Sequence, residues 1–348
     1  MKRLSILISA LIFIIFLSSC QKNEGNEGKE ECEHTYSYSL NDDYSKIICD
    51  CDNCDYSYEI SPNFSFLYNY GYFDLEKYLI KNNAQKLYLD IYVDIYNFIN
   101  DKKDLSSTIK NDKEYYIIST LNYSSYSLTK EQAMAIWHLV SLDNPEFYFL
   151  EKTVLTSNKE LVILCNSLYA KHEQRVIVDN KINELKNTVN SYSDNDKLSI
   201  IYDYIIDNMT YAYEEIDGQK VAKTDFDSYE LSGALLYKEG VCEAYCKLFS
   251  YMLKCAGIKS IMYLGNGIML SGASVRHSWT LIEIDDLYYG FDLTWDDSNS
   301  NKDNYGLSYS NLSLRHKEIE YNSSSLGIGI DYIYKMPKMA EENLAYFC

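Results

Sequence analysis

Gly240-Val241-Cys242-Glu243-Ala244-Tyr245, His277-Ser278-Trp279 and Phe291-Asp292-Leu293-Thr294-Trp295-Asp296-Asp297 are the three stretches on which the reading of this chain turns. The first opens a helix. Leu248, Phe249, Met252 and Cys255 recur behind it at three- and four-residue steps, and Gly257 suits a C-terminal cap. Cys242 then falls in the first helical turn, where unpaired amide hydrogens and the positive end of the helix dipole stabilise a thiolate. Cys246 and Cys255, further along the same helix, read as small core residues.

After Gly257, residues Ile258 to Leu264 read as a strand, and a glycine- and serine-containing loop runs from Gly265 to Ser274. Two strands are expected next, 276–284 and 287–295, with Asp285-Asp286 as the turn between them. A two-residue turn sets position 284 opposite 287, and therefore Trp279 opposite Asp292. Side chains alternate with a period of two, so His277 shares a face with Asp292 and lies diagonal to it, about 7–8 Å away between backbones. An imidazole-carboxylate hydrogen bond is within reach at that spacing. A loop of odd length would put the two groups on opposite faces.

The three motifs, in this order and spacing, resemble those of the transglutaminase-like superfamily. The lead-in fits as well: Asp196-Lys197 with a helix ending before Tyr211, then Gly233-Ala234-Leu235-Leu236 before the cysteine. The resemblance implies an α+β fold with a papain-like core, in which the nucleophile helix packs on an antiparallel sheet. It also implies Cys242 as nucleophile, His277 as general base and then acid, and Asp292 as the group that orients His277. Cysteine would attack an amide carbonyl, form a thioester and release an amine, after which water or a second amine resolves the thioester. The oxyanion would meet the backbone N–H of Cys242 and one further donor, with Tyr229 and Trp279 as candidates. Hydrolysis of peptide or protein amides is favoured over cross-linking, and catalysis needs no cofactor. A catalytically silent binding or scaffold domain is the alternative, and the intact triad argues against it. A metal site built on Cys242 and His277 lacks further ligands at suitable spacing.

Outward from this core, the chain begins Met-Lys-Arg, continues with an apolar run from Leu4 to Leu17, and reaches Leu17-Ser18-Ser19-Cys20. Residues 1–19 thus read as a signal peptide, and the cysteine at the cleavage point resembles the lipobox of bacterial lipoproteins. That resemblance implies lipidation of Cys20 and an extracytoplasmic, membrane-anchored protein of the cell envelope. Residues 21–31 contain no apolar side chain and read as a tether, so residues 20–31 form a lipidated cysteine with its linker. Residues 32–60 hold Cys32, His34, Cys51 and Cys54, four soft ligands arranged as in a zinc ribbon, with Cys49 surplus. Structural zinc is expected there, with disulfides as the competing staple.

Residues 61–194 are expected to be mainly helical, with Ala84, Leu87, Tyr88, Ile91, Ile95, Phe98 and Ile99 on one buried face. Thr129 and Gln132 form a capping box ahead of a second helix, and Asn144-Pro145 ends it. His138 and His172, each without neighbouring ligand types, read as structural. The catalytic core is placed at 195–300 and a C-terminal extension at 301–348. The formal charge of −19 becomes −21 without Lys2 and Arg3, 30 basic against 51 acidic residues. Nucleic acid is therefore a poor partner, and peptide or protein substrates at the cell surface are expected.

Overall fold

The computed structural model describes residues 36–41, 46–60, 81–110, 113–193, 196–299, 301–318, 320–321, 332–333 and 337–344. Cys20, Cys32 and His34 lie outside the described residues. Strands β1 (Tyr36–Leu40), β2 (Ile47–Cys51) and β3 (Ser57–Ile60) form an antiparallel sheet in sequence order. Ile47 and Cys49 alternate onto its buried side, and Cys49 is tucked among Tyr38 and Tyr58. Burial pushes the Cys49 thiol up to about 11, so this surplus cysteine is a core residue. Cys51 and Cys54 flank the turn after β2, where the Asn53 N–H points at Cys51 Sγ at 3.4 Å.

Helix α1 (Lys81–Asp101) buries Ala84, Leu87, Tyr88, Ile91, Ile95 and Phe98 as its periodicity requires. It holds the first sheet through Asn100 Nδ2 donating to the Tyr36 carbonyl at 2.6 Å and through Tyr38 against Tyr96. Strands β4 (Ser107–Lys110), β5 (Lys113–Asn122), β6 (Val154–Leu155) and β7 (Glu160–Cys165) form a second antiparallel sheet in the order β4-β5-β7-β6. This sheet is an addition that the expectation of a mainly helical segment at 61–194 did not include. The physical reason is visible in β5, Lys-Glu-Tyr-Tyr-Ile-Ile-Ser-Thr-Leu-Asn: a register shift between Ile117 and Ser119 breaks its alternation, and its middle is half-buried on both faces. Helix α2 (Lys130–Asp143) starts at the Thr129/Gln132 capping box and is closed by Asn144. His138 on it is half-buried, and desolvation lowers its ring to about 4, which keeps it neutral. Helix α3 (His172–Asn190) begins at His172, the other histidine read as structural.

The C-terminal half opens with α4 (Lys197–Asn208), which buries Ile201, Tyr202 and Ile205. The short strand β8 (Thr210–Tyr211) follows, then the hairpin β9 (Tyr213–Ile216) and β10 (Gln219–Ala222), helix α5 (Leu231–Leu236) and β11 (Glu239–Gly240), which pairs in parallel with β8. Helix α6 (Cys242–Cys255) packs on β12 (Ser260–Ile268) and β13 (Ser274–Ile284). The chain continues through β14 (Leu287–Phe291), α7 (Leu293–Asn299), α8 (Tyr309–Arg315) and β15 (His316–Glu318). The antiparallel sheet has the order β14-β13-β12-β15.

An α+β fold with helix α6 laid on an antiparallel sheet is therefore what the chain adopts, with three local differences. β12 runs four residues past Leu264, the strand expected to continue to 295 stops at Phe291 and gives way to α7, and residues 301–318 belong to the core, since β15 completes its edge. One hydrophobic cluster runs through both halves, from Tyr88 and Ile136 to Phe249 and Trp279. Polar ties reinforce it: Lys254 Nζ at the end of α6 donates to Asn144 Oδ1 at 3.2 Å and Glu146 Oε1 at 2.5 Å, and Tyr169 donates to buried Asp227 at 2.5 Å.

Candidate active site

Val241 is the N-cap of α6, its N–H donating to the Ser228 carbonyl at 2.8 Å, so Cys242 is the first helical residue. Its own N–H has no carbonyl four residues back within the helix and is free to face a ligand. The far end of the helix is a Schellman motif: the Gly257 N–H bonds to the Lys254 carbonyl and the Ile258 N–H to that of Leu253, with Gly257 at φ +73°. Two fixed ends thus hold the thiol-bearing turn. Tyr211 and Tyr229 both lie close to Cys242.

The β13–β14 turn has two residues, Asp285 and Asp286, at φ +53° and +62°, the type I′ geometry that matches strand twist. Ile284 pairs with Leu287 and Thr280 with Phe291, the register that the two-residue turn requires. His277 Nε2 and Asp292 Oδ2 are 2.7 Å apart. That leaves Nδ1 to face the Cys242 thiol, which lies close enough to favour charge on the ring. All three residues expected to act together are brought together, and the histidine and the aspartate are buried, 6% and 1% exposed.

Asp292 is fixed from a second direction. It caps α7, its Oδ1 accepting the Trp295 N–H at 3.2 Å and its carbonyl the Asp296 N–H at 3.2 Å. Burial alone would raise its carboxyl, but His277 and then His316 hold it well below the usual carboxylate range. Burial likewise opposes charge on His277, and the Asp292 carboxylate outweighs it, pushing the ring up to about 10. The site therefore keeps an imidazolium against a carboxylate at neutral pH. The neighbouring acids pin α7 in place: Tyr202 donates to Asp296 Oδ2, and Tyr245 donates to Asp297 Oδ2 at 2.6 Å.

Three features escaped the sequence reading. His316, 4% exposed, places Nε2 at 2.8 Å from the same Asp292 oxygen that His277 uses. Trp295 stacks on His277, ring centroids 4.6 Å apart and planes within 12°. Gly265 and Gly267 of β12 make room for the indoles: a Cβ on Gly265 would come within 2.1 Å of the Trp279 ring, and one on Gly267 within 2.7 Å of Trp295. The available signal for His316 was arithmetic, since it is the one histidine of five left without a role. Trp279, a candidate oxyanion donor, is fully buried, stacked on Tyr263 and edge-on to His316, which makes it packing for the histidines. Tyr229, half-buried beside the thiol, is the better placed of the two candidates. His277, Asp292 and His316 hold their ligand atoms within 4.8 Å of one another. Both nitrogens sit at hydrogen-bond distance from a single oxygen, however, an arrangement of donors around a carboxylate rather than of ligands around an ion.

The family described as "Transglutaminase-like domain" matches residues 180–320. Among solved structures, one described as a transglutaminase overlaps 44% of this chain and 47% of its own length at 13% identity, with a TM-score of 0.29. Another, described as a proposed protease from Parabacteroides distasonis, overlaps 42% of this chain and 33% of its own at 17% identity, with a TM-score of 0.22. The chain thus spans less than half the length of either. No curated protein matches the sequence.

Proposed function

We propose that this chain, whose residues 180–320 form a transglutaminase-like domain, is a thiol enzyme that cleaves amide bonds of peptides or proteins through Cys242, His277 and Asp292. The observation that carries the reading is the hydrogen bond between His277 and Asp292 beside the Cys242 thiol, with that thiol on the first turn of a helix. The Cys242 thiolate attacks the amide carbonyl carbon, forming a C–S bond. The Cys242 N–H faces the developing oxyanion, with the Tyr229 hydroxyl as second donor. As the C–N bond breaks, His277 gives its proton to the departing amine. His277, again a base, takes a proton from water as its oxygen attacks the thioester, and the released sulfur returns to the resting pair. Asp292 keeps the ring oriented throughout.

Hydrolysis is the favoured fate of the thioester. Water is far more concentrated than any amine, so transfer wins only where a site binds the acceptor and excludes water. The rim loop Met269-Leu-Ser-Gly-Ala273 offers no acidic group to hold a lysine. With Cys20 lipidated, the enzyme works on polypeptides of the cell envelope, within reach of a short tether. The test supplies glutamine-containing peptides with excess labelled primary amine and follows cleavage, deamidation and amine incorporation together. Cleavage or deamidation outpacing incorporation, and all products lost in Cys242→Ala, is the expected result. Faster incorporation would make the protein a cross-linking enzyme, and equal turnover by Cys242→Ala would remove the thiol mechanism. Retention of a Cys20→Ser protein in membranes would overturn the anchor.

A further inference from the structure

His316 stands where the β12 edge meets the end of α8, opposite Gly267. Its ring is enclosed by Trp279, 4.9 Å away and edge-on, and by Trp295 at 4.6 Å. Nδ1 lies 3.1 Å from the Leu312 carbonyl, and Nε2 lies 2.8 Å from Asp292 Oδ2. Neither partner has a proton to offer: a peptide carbonyl only accepts, and so does a carboxylate held ionised. Both ring nitrogens must therefore donate. A neutral imidazole has one N–H and would leave one buried pair of acceptors facing each other.

We propose that His316 is a positioning residue that carries a proton on each ring nitrogen, locks the Asp292 carboxylate, and divides that carboxylate's charge with His277. This rests on the thiol-enzyme reading above and adds a fourth member to its triad. Asp292 then receives three donors: His277 and His316 on Oδ2 and the Trp295 N–H on Oδ1. A carboxylate so filled cannot rotate away from His277. Sharing has a chemical consequence too. An aspartate bound to His277 alone in a buried site would hold the imidazolium proton too firmly to pass it to a leaving amine, and a second cation on the same oxygen weakens that hold. Other charged or titratable groups face the site from every side. Cys242 and Cys246 do so from α6, Tyr202 from α4 and Asp296 from α7, each interacting with Asp292 or with one another. Arg315 caps the outer face of the Trp295 ring at 4.0 Å. Among these, His316 is the group that touches the shared oxygen.

The experiment follows iodoacetamide alkylation of Cys242 by peptide mass spectrometry from acid to alkaline pH, in the full chain and in His316→Gln and His316→Phe. Gln can still donate one hydrogen bond but carries no charge, whereas Phe keeps only the packing. Loss of the nearby cation should move the acid-side onset of Cys242 reactivity upward by about half a pH unit or more in both variants. Gln should recover part of the peptide turnover that Phe loses. An unchanged onset in both, with turnover following thermal stability alone, would reduce His316 to a packing residue. Nitrogen-proton correlation spectra of the native chain give a readout that needs no variant to fold: at neutral pH His316 should show two protonated ring nitrogens, and one bare nitrogen would overturn the proposal. Slow Cys242 alkylation in the native chain would instead sink the thiol-enzyme reading, leaving the His316 spectrum to be judged by itself.

Discussion

At the residue scale the proposed chemistry turns on a single carboxylate. Asp292→Asn keeps the shape of the side chain and its cap on α7 but removes the charge that orients His277. Turnover should fall by about 10³- to 10⁴-fold while the chain stays folded, as steady-state rates and circular dichroism would show together. The same pair makes stability depend on pH. His277 is raised from 6.5 to about 10 in the folded state, so its contribution is fully present below about 6.5 and is lost as pH climbs through about 10. Asp292 is lowered from 3.8, so its contribution is present above that value and disappears as acid reaches its depressed range. The gap in melting temperature between the native chain and Asp292→Asn should be widest between pH about 4 and about 6.5 and should narrow toward pH 10. A constant gap across that range would mean that the buried pair contributes packing alone.

Strand β12 and helix α6 matter at the element scale, the first because it makes room for the ring stacked on His277 and the second because it carries Cys242. Gly267 lets the Trp295 indole lie against the strand, and an added Cβ would come within 2.7 Å of that ring and 3.1 Å of His277 Cβ. Gly267→Ala should cost about 1–3 kcal/mol by overpacking and also slow Cys242 alkylation, since the ring that stacks on His277 must shift. Gly257 serves as the contrast. Nothing lies within 4 Å of a Cβ there, but its φ of +73° disfavours any side chain. Gly257→Ala should therefore cost about 1 kcal/mol and leave alkylation unchanged. Urea melts beside alkylation rates separate the two effects. Equal slowing in both variants would show that general loosening, and not the Trp295 contact, governs the thiol.

For the whole molecule, the segment ahead of α1 carries the zinc proposal. Cys51 and Cys54 flank one turn, and Cys32 with His34 immediately precede the strand whose Tyr36 pairs with Cys51. The intact chain should hold one zinc ion, lost in Cys51→Ser with Cys54→Ser, by elemental analysis. Disulfides among these cysteines in non-reducing peptide maps would replace the metal. What the sequence determined by itself was local and periodic. Cys242 at a helix start, the capping box at Thr129, the buried face of α1 and the facing of His277 and Asp292 all follow from spacing within one element or across one short turn. Tertiary structure alone decided the rest. The bulged sheet of β4 to β7 has no clean alternation to read, and α7 begins at Asp292 because its carboxylate can cap Trp295. His316 joins the site from 24 residues beyond Asp292 because β15 pairs with the far edge of β12. A contact between the opposite edges of a four-stranded sheet leaves no period in the chain, since nothing in the order of residues records which edge a later strand will find.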